Sequence, residues 1–366
     1  MEESGERNAT TNERAGHGHR TELTRYPANR MRANASEKPV IGVDIGGTKV
    51  SAGVVNSRGE ILKSSRKPMA ARGSPEEGLR AVTHTIDQLM RDRRAKAARA
   101  IGISVPGWVD AVRGSLLSAT NIPCWRDFPL AGEIRKRYGL RTRIANDANV
   151  AALAEATWGA GKGYRNVFYV TLGTGIGTGI VIGSRIYEGR TGAAGEGGHV
   201  TIDFRGPQCG CGKCGCIEAF ASGTAIAKRA QQRLAENDAK DSPILAQTDG
   251  RIEAVTSEMV SKAAAQGDHL ARAVLAEAVE RLAIWLGNII ELLEPDVIVI
   301  GGGAGRLMIS RLAKMQDTLE KWAINPRWRE IPIVAAKYGP ESAMVGAAAL
   351  CLPRALTRAS LRKSAS

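Results

Sequence analysis

Four cysteines stand within eight residues, at Cys209, Cys211, Cys214 and Cys216, and Glu218 follows the last by two positions. His199 closes the stretch Glu196-Gly-Gly-His ten residues before Cys209. Thiols this dense serve as a disulfide framework, a redox pair or a metal grip. A disulfide framework belongs to short secreted chains with spread cysteines, whereas this chain has 366 residues and keeps only Cys124 and Cys351 outside the cluster. Cys211-x-x-Cys214 has redox spacing, but no thioredoxin-like βα pattern surrounds it. Zinc, which takes four nitrogen or sulfur ligands, fits better. The residues alone leave two sets open: His199 with Cys209, Cys211 and Cys216, the favoured one, or the four cysteines without the histidine.

A second group of residues suits phosphate. Asp44-Ile-Gly-Gly-Thr-Lys49 follows an apolar run. Gly46 and Gly47 let backbone N–H groups approach an anion, Thr48 adds a hydroxyl, Lys49 adds a positive charge, and Asp44 suits a hydrated Mg²⁺. The P-loop spacing is absent. Gly173-Thr174-Gly175-Ile-Gly177 repeats the theme, again with a strand rather than a helix behind it, so a dinucleotide-binding reading fails. Gly302 and Gly303 form a third glycine turn, between a strand and a helix. Asn146-Asp147 sits where a strand enters a helix. Asp147 either caps that helix or acts as a general base that takes a proton from a substrate hydroxyl.

These residues need elements to hold them. Apolar runs predict strands over 40–46, 50–56, 60–67, 99–107, 142–147, 166–173, 178–184, 296–303 and 331–336. Ser74-Pro75-Glu76-Glu77 reads as a capping box with proline at the first helical position. Helices are expected to about Trp158, from about Asp268 to Glu294, and from Ser342 to Cys351. The segment 40–67 echoes 166–190: strand, tight glycine turn, strand. The expected architecture is therefore an internally duplicated α/β fold with a cleft between its halves. A small lobe spans 39–146 and is completed by the helix 342–352. A large lobe spans 147–341. Residues 1–38, polar and aperiodic, read as a disordered tail, and 353–366 as a basic one.

Composition narrows the function. Hydrophobic residues make up 43% of the chain, enough for two cores, and glycine contributes 42 residues, above the usual ~7%. A net charge of +14 raises the question of nucleic acid, but the basic residues are scattered and aromatics reach only 4%. No apolar stretch spans a bilayer and the N-terminus lacks a signal-peptide pattern, so the expected compartment is the cytoplasm, with no membrane partner.

Taken together, the Asp44–Lys49 loop, Asn146-Asp147, Glu196–His199 and Cys209–Glu218 resemble the ROK family of sugar kinases and sugar-responsive repressors, over roughly residues 39–352. The resemblance implies an actin-like (ribonuclease H-like) duplicated two-lobed fold, with ATP and Mg²⁺ in the cleft beside a sugar. It implies structural zinc on His199, Cys209, Cys211 and Cys216, with Cys214 spare. It implies Asp147 as catalytic base, and Asn121, Asn146, Glu196, His199 and Glu218 as sugar ligands. Zinc would then clamp a loop so that His199 turns its other nitrogen to the sugar, with Glu218 facing the same pocket. Asn121-Ile-Pro-Cys-Trp125 resembles the family's glucokinase segment, which points to glucose. N-acetylmannosamine, N-acetylglucosamine, allose and fructose are the alternatives. Polyphosphate is the alternative donor, with ATP favoured because the family's polyphosphate branch usually lacks the cysteine block, and a sugar-sensing regulator is the rival class. The family also implies a homodimer or homotetramer.

Overall fold

In the computed structural model, residues 38–236 and 242–352 are described. The two tails expected at 1–38 and 353–366 lie outside them, except for Lys38. The first half runs β1 (Val40–Ile45), β2 (Lys49–Val55), β3 (Ile61–Pro68), α1 (Pro75–Leu89), α2 (Arg93–Lys96) and β4 (Ala100–Val105). It continues with β5 (Trp108–Asp110), β6 (Ser115–Ser118), β7 (Arg126–Phe128), α3 (Leu130–Tyr138), β8 (Arg141–Asn146) and α4 (Asp147–Trp158). The second half has β9 (Asn166–Leu172), β10 (Ile176–Ile182), β11 (Arg185–Ile186), α5 (Glu218–Ala221), α6 (Gly223–Glu236), α7 (Ser257–Ala265) and α8 (His269–Leu293). It closes with β12 (Val297–Gly301), α9 (Gly303–Ile309), α10 (Leu312–Trp322), β13 (Ile333–Ala335) and α11 (Ser342–Ala349).

Two five-stranded sheets have matching orders, β3-β2-β1-β4-β8 and β11-β10-β9-β12-β13. In each, the opening strand pairs antiparallel with the second and parallel with the fourth of its set: β1 with β2 and β4, β9 with β10 and β12. The duplication expected from the two hairpins is real. The parallel strands read as unbroken apolar runs, such as the wholly buried Ala100–Val105 and Val297–Gly301, because both of their faces are covered.

Local chemistry fixes the helices. Ser74 accepts from the N–H of Glu77 at 3.2 Å and Glu77 Oε2 accepts from the N–H of Ser74 at 2.8 Å, so α1 begins on the expected box. Asp268 caps α8 through the N–H of Ala271 at 2.6 Å. That long helix buries Val274, Leu282, Trp285, Leu286 and Ile290 in the core of the second half. A three-stranded sheet, β5-β6-β7, was not expected from the sequence.

The halves meet at a seam made by α4 and α11. α11 packs on β1 and β4, α4 packs on β9 and β10, and the two helices pack on each other. The contact is backbone on backbone: a Cβ on Gly42 would lie 2.0 Å from the carbonyl oxygen of Met344, one on Gly102 1.7 Å from that of Ala347, and one on Gly346 1.8 Å from that of Val150. Glu155 of α4 is wholly buried and stays tolerable because three backbone N–H groups donate to it, from Ala160 (2.7 Å), Lys337 (3.1 Å) and Tyr338 (2.7 Å).

Candidate active site

The parallel strands β1, β4 and β8 end at one rim, the usual location of ligand crevices in such sheets. Asp44 of β1 lies opposite Ser104 of β4, which lies opposite Ala145 of β8, and Asn146 and Asp147 come next. The Ser104 hydroxyl, itself fully buried, donates to Asp44 Oδ1 at 3.1 Å. Burial, followed by the nearby Asp147 carboxylate, pushes Asp44 up to about 6. Burial also raises Asp147 above the ordinary aspartate value. Two carboxyl groups resisting ionisation side by side are what a bound cation would relieve.

The structure decides which residue caps α4. Asn146, extended at φ −61 and ψ 147, is the N-cap, and its Oδ1 accepts from the N–H groups of Ala148 (2.9 Å) and Asn149 (3.3 Å). Asp147 is the first helical residue, with one oxygen taking the N–H of Ala148 at 2.8 Å. Asn146 Nδ2 donates to the carbonyl of Gly107 at 3.1 Å, which leaves one amide hydrogen for a ligand.

The first glycine loop closes as a turn, Gly46 N–H to Lys49 carbonyl at 2.9 Å, with Thr48 and Lys49 exposed. Asn121 stands on an exposed turn whose carbonyl lies 2.7 Å from where a Gly47 Cβ would be. The second loop is pinned through Gly173: its N–H donates to Gly175 and its carbonyl accepts from Gly223 at the head of α6. Gly177 lies in β10, and Thr174 is at the loop's tip. The third loop needs glycine, since Gly302 has φ 85 and a Cβ there would lie 2.3 Å from the carbonyl oxygen of Leu172. Gly303 opens α9 behind it.

Glu196 precedes a short 3-10 turn, Gly197–His199, that ends on His199. Burial raises the Glu196 carboxyl, His199 opposes that, and Asp147 and Glu218 add to it, so these groups share one electrostatic neighbourhood. Glu218 Oε2 accepts the N–H of Ile176 at 2.8 Å, while its Oε1 lies 4.0 Å from His199 Nδ1 and 3.7 Å from Cys209 Sγ. Glu218 therefore joins the second glycine loop to the cysteine cluster, a role its spacing alone did not reveal.

Donor atoms of His199, Cys209, Cys211 and Cys216 lie within 4.8 Å of one another, without Cys214. His199 Nδ1 is 3.6 Å from Cys209 Sγ, and Cys211 Sγ is 3.7 Å from Cys216 Sγ. Tetrahedral zinc with Zn–S bonds of about 2.3 Å holds its sulfurs roughly 3.8 Å apart, so this donor set fits that ion. A cavity of about 730 Å³ lies between α6, α8 and the cysteine hairpin. Thr174, Cys209 and Glu218 reach it; Asp44, Asn121, Asn146, Asp147 and Glu196 do not. Sequence reasoning missed Ser104, whose only signal is a polar residue inside an apolar strand.

The ROK family matches residues 40–354. A glucokinase of Streptomyces coelicolor is 36% identical over 318 residues, 85% of this chain and 96% of that protein. An N-acetyl-D-glucosamine kinase of Escherichia coli is 32% identical over 321 residues, 85% of this chain and 98% of that protein. The crystal structure of a ROK family glucokinase from Streptomyces griseus, in complex with glucose and AMPPNP, superposes with a TM-score of 0.71 at 35% identity, covering 85% of this chain and 98% of that one. The chain belongs to the ROK family, has its actin-like two-lobed fold and is a sugar kinase. Among the described residues, no helix is long and apolar enough to cross a membrane.

Proposed function

We propose that the protein transfers the γ-phosphoryl group of ATP to a hydroxyl of glucose, with Asp147 as general base. The observation that carries this reading is Asp147 itself. Its carboxyl group stands at the rim shared by β1, β4 and β8, freed from capping by Asn146, and burial makes it a better proton acceptor than an ordinary aspartate. It takes the proton as the sugar oxygen bonds to phosphorus and the bond from phosphorus to the β-phosphate oxygen breaks. Glu196, His199, Glu218, Asn121 and the spare amide hydrogen of Asn146 offer the donors and acceptors that a polyol needs. The backbone N–H groups of the Gly46–Gly47 and Gly173–Gly175 loops, with Thr48, Thr174 and Lys49, suit the triphosphate, and Gly302–Gly303 the nucleoside end. Positioning accounts for most of the acceleration.

Asp44 is the candidate ligand sphere for Mg²⁺, which neutralises phosphate charge when bound. His199, Cys209, Cys211 and Cys216 would hold zinc, which cross-links the hairpin and does no chemistry. If zinc takes His199 Nδ1, the near neighbour of the thiols, Nε2 is left for the sugar. Glucose is favoured by the Streptomyces relatives. The N-acetyl-D-glucosamine kinase relative at 32% identity makes that sugar the second reading. ADP release with Mg²⁺-ATP over a panel of glucose, mannose, fructose, allose and both N-acetylhexosamines tests the proposal. A clear preference for glucose supports it. A preference for an N-acetylhexosamine moves the substrate, and silence in zinc-replete protein overturns the kinase chemistry proposed for Asp147.

A further inference from the structure

The segment that carries Glu196 is gripped from behind by two side chains on other elements. Thr178 of β10 uses its hydroxyl twice: it donates to the carbonyl of Gly195 and accepts the N–H of Gly197 at 2.9 Å. Trp285, from the middle of α8, donates its indole N–H to the carbonyl of Gly197 at 3.1 Å. The peptide groups on both sides of Glu196 are therefore fixed, and neither holder touches solvent appreciably: Thr178 is 3% exposed and Trp285 0%. A hydroxyl is needed at 178, because only a group that donates and accepts at once can satisfy both neighbours. The rest of the turn leans on the same strand. A Cβ on Gly198 would lie 2.0 Å from the carbonyl oxygen of Ile176, so β10 serves as the template for the whole Glu196–His199 segment.

We infer that Thr178 and Trp285 are positioning residues for the sugar site: together they set where the Glu196 carboxylate stands and so how tightly the sugar is held. The inference rests on the reading of Glu196 as a sugar ligand. The grip acts on the Glu196–His199 segment, which carries one zinc donor, His199, besides Glu196. The phosphate loops are held by other bonds, Gly46 to Lys49 and Gly173 to Gly175 and Gly223. The zinc hairpin has its own, Ile202 to Gly215 and Cys209 to Lys213.

The test is steady-state kinetics on Thr178→Val, Thr178→Ser, Trp285→Phe and Glu196→Gln, with bound zinc measured on each. Loss of the double hydrogen bond in Thr178→Val should raise the sugar KM about tenfold or more, since small misplacements of a binding group are costly. The KM for ATP should stay within about twofold, and zinc should remain stoichiometric, because a lost sugar contact is not a lost nucleotide contact. Thr178→Ser keeps the hydroxyl and should bring the sugar KM back to within about threefold. Trp285→Phe keeps the ring bulk and should raise the sugar KM about threefold, so it reports even if the valine variant fails to fold. An unchanged sugar KM in Trp285→Phe and in any folded Thr178→Val, or an equal rise in the KM for ATP, overturns the inference. Glu196→Gln separates the failures. If it leaves the sugar KM alone, the sugar-ligand reading falls and the grip with it. If it raises that KM while the Thr178 and Trp285 variants do not, the grip alone falls.

Discussion

The β1–β2 and β9–β10 hairpins are copies in topology and opposites in chemistry. Each turns on glycines and each lies in the same place of its sheet. Two residues before its first loop glycine, β1 carries Asp44, ionisable and pushed up to about 6, whereas β9 carries the neutral Thr171 at that point. The first hairpin keeps Thr48 and Lys49 exposed at its tip, where the Thr48 carbonyl accepts the N–H of Met69 at 3.0 Å. The second is tied down by Glu218 on Ile176 and by Gly223 on Gly173. The two turns thus share a topology and differ in the side chains around them. One turn follows the strand that carries Asp44, and the other is coupled through Glu218 to the cysteine cluster.

That division can be broken residue by residue. Asp147→Ala should lower turnover by roughly 10³-fold or more while sugar binding persists, as expected when a general base is removed; near-normal turnover in a single-turnover assay would end its role. Cys209→Ser or Cys216→Ser should lose zinc and most activity together, read by metal analysis beside kinetics, because the hairpin that places His199 and Glu218 then loses its cross-link. Asp44→Asn should lower turnover about 10²-fold, the scale of one electrostatic contact. It should also raise the melting temperature of the metal-free protein. The folded state of that protein resists ionising Asp44, so the penalty is present above about pH 6 and gone below the ordinary aspartate value; melting curves at pH 4 and pH 8 should show the gain only at the higher pH. A gain at both would mean packing rather than charge. Gly346→Ala, away from both hairpins, should cost about 1–3 kcal/mol by denaturant unfolding, the usual range for overpacking. Cys214→Ser should change neither zinc content nor rate, and loss equal to that at Cys209 would replace the ligand set.

Much of this was legible before any coordinates. Asp44, Gly46 and Gly173 announce themselves because an apolar run ending in glycine has few other uses, and the Ser74–Glu77 box reads directly. The cap of α4 did not. Asn146 and Asp147 are both good caps, and only the extended backbone of Asn146 decides between them. β5, β6 and β7 are three or four residues each, too short for a period to register, although they pair in sequence order with one another. Thr178 and Trp285 look like ordinary core positions of a strand and a helix. Their partners at 195 and 197 return from outside the strand, so no local pattern records them.

The glycine seam between α4 and α11 has a mechanical meaning. Where helices meet through interlocked side chains, turning one against the other means re-sorting rotamers. At Gly346 the Val150 carbonyl oxygen sits where a Cβ would be, so at this crossing the two helices meet at close range with no side chain between them. α4, with its 12 residues, is a rod about 18 Å long. Its far end is gripped through Glu155, and its near end carries Asp147. A tilt of about 5° about Glu155, which lies roughly 12 Å along the helix from Asp147, would sweep Asp147 through about 1 Å, a shift of the size that misplaces a reacting group.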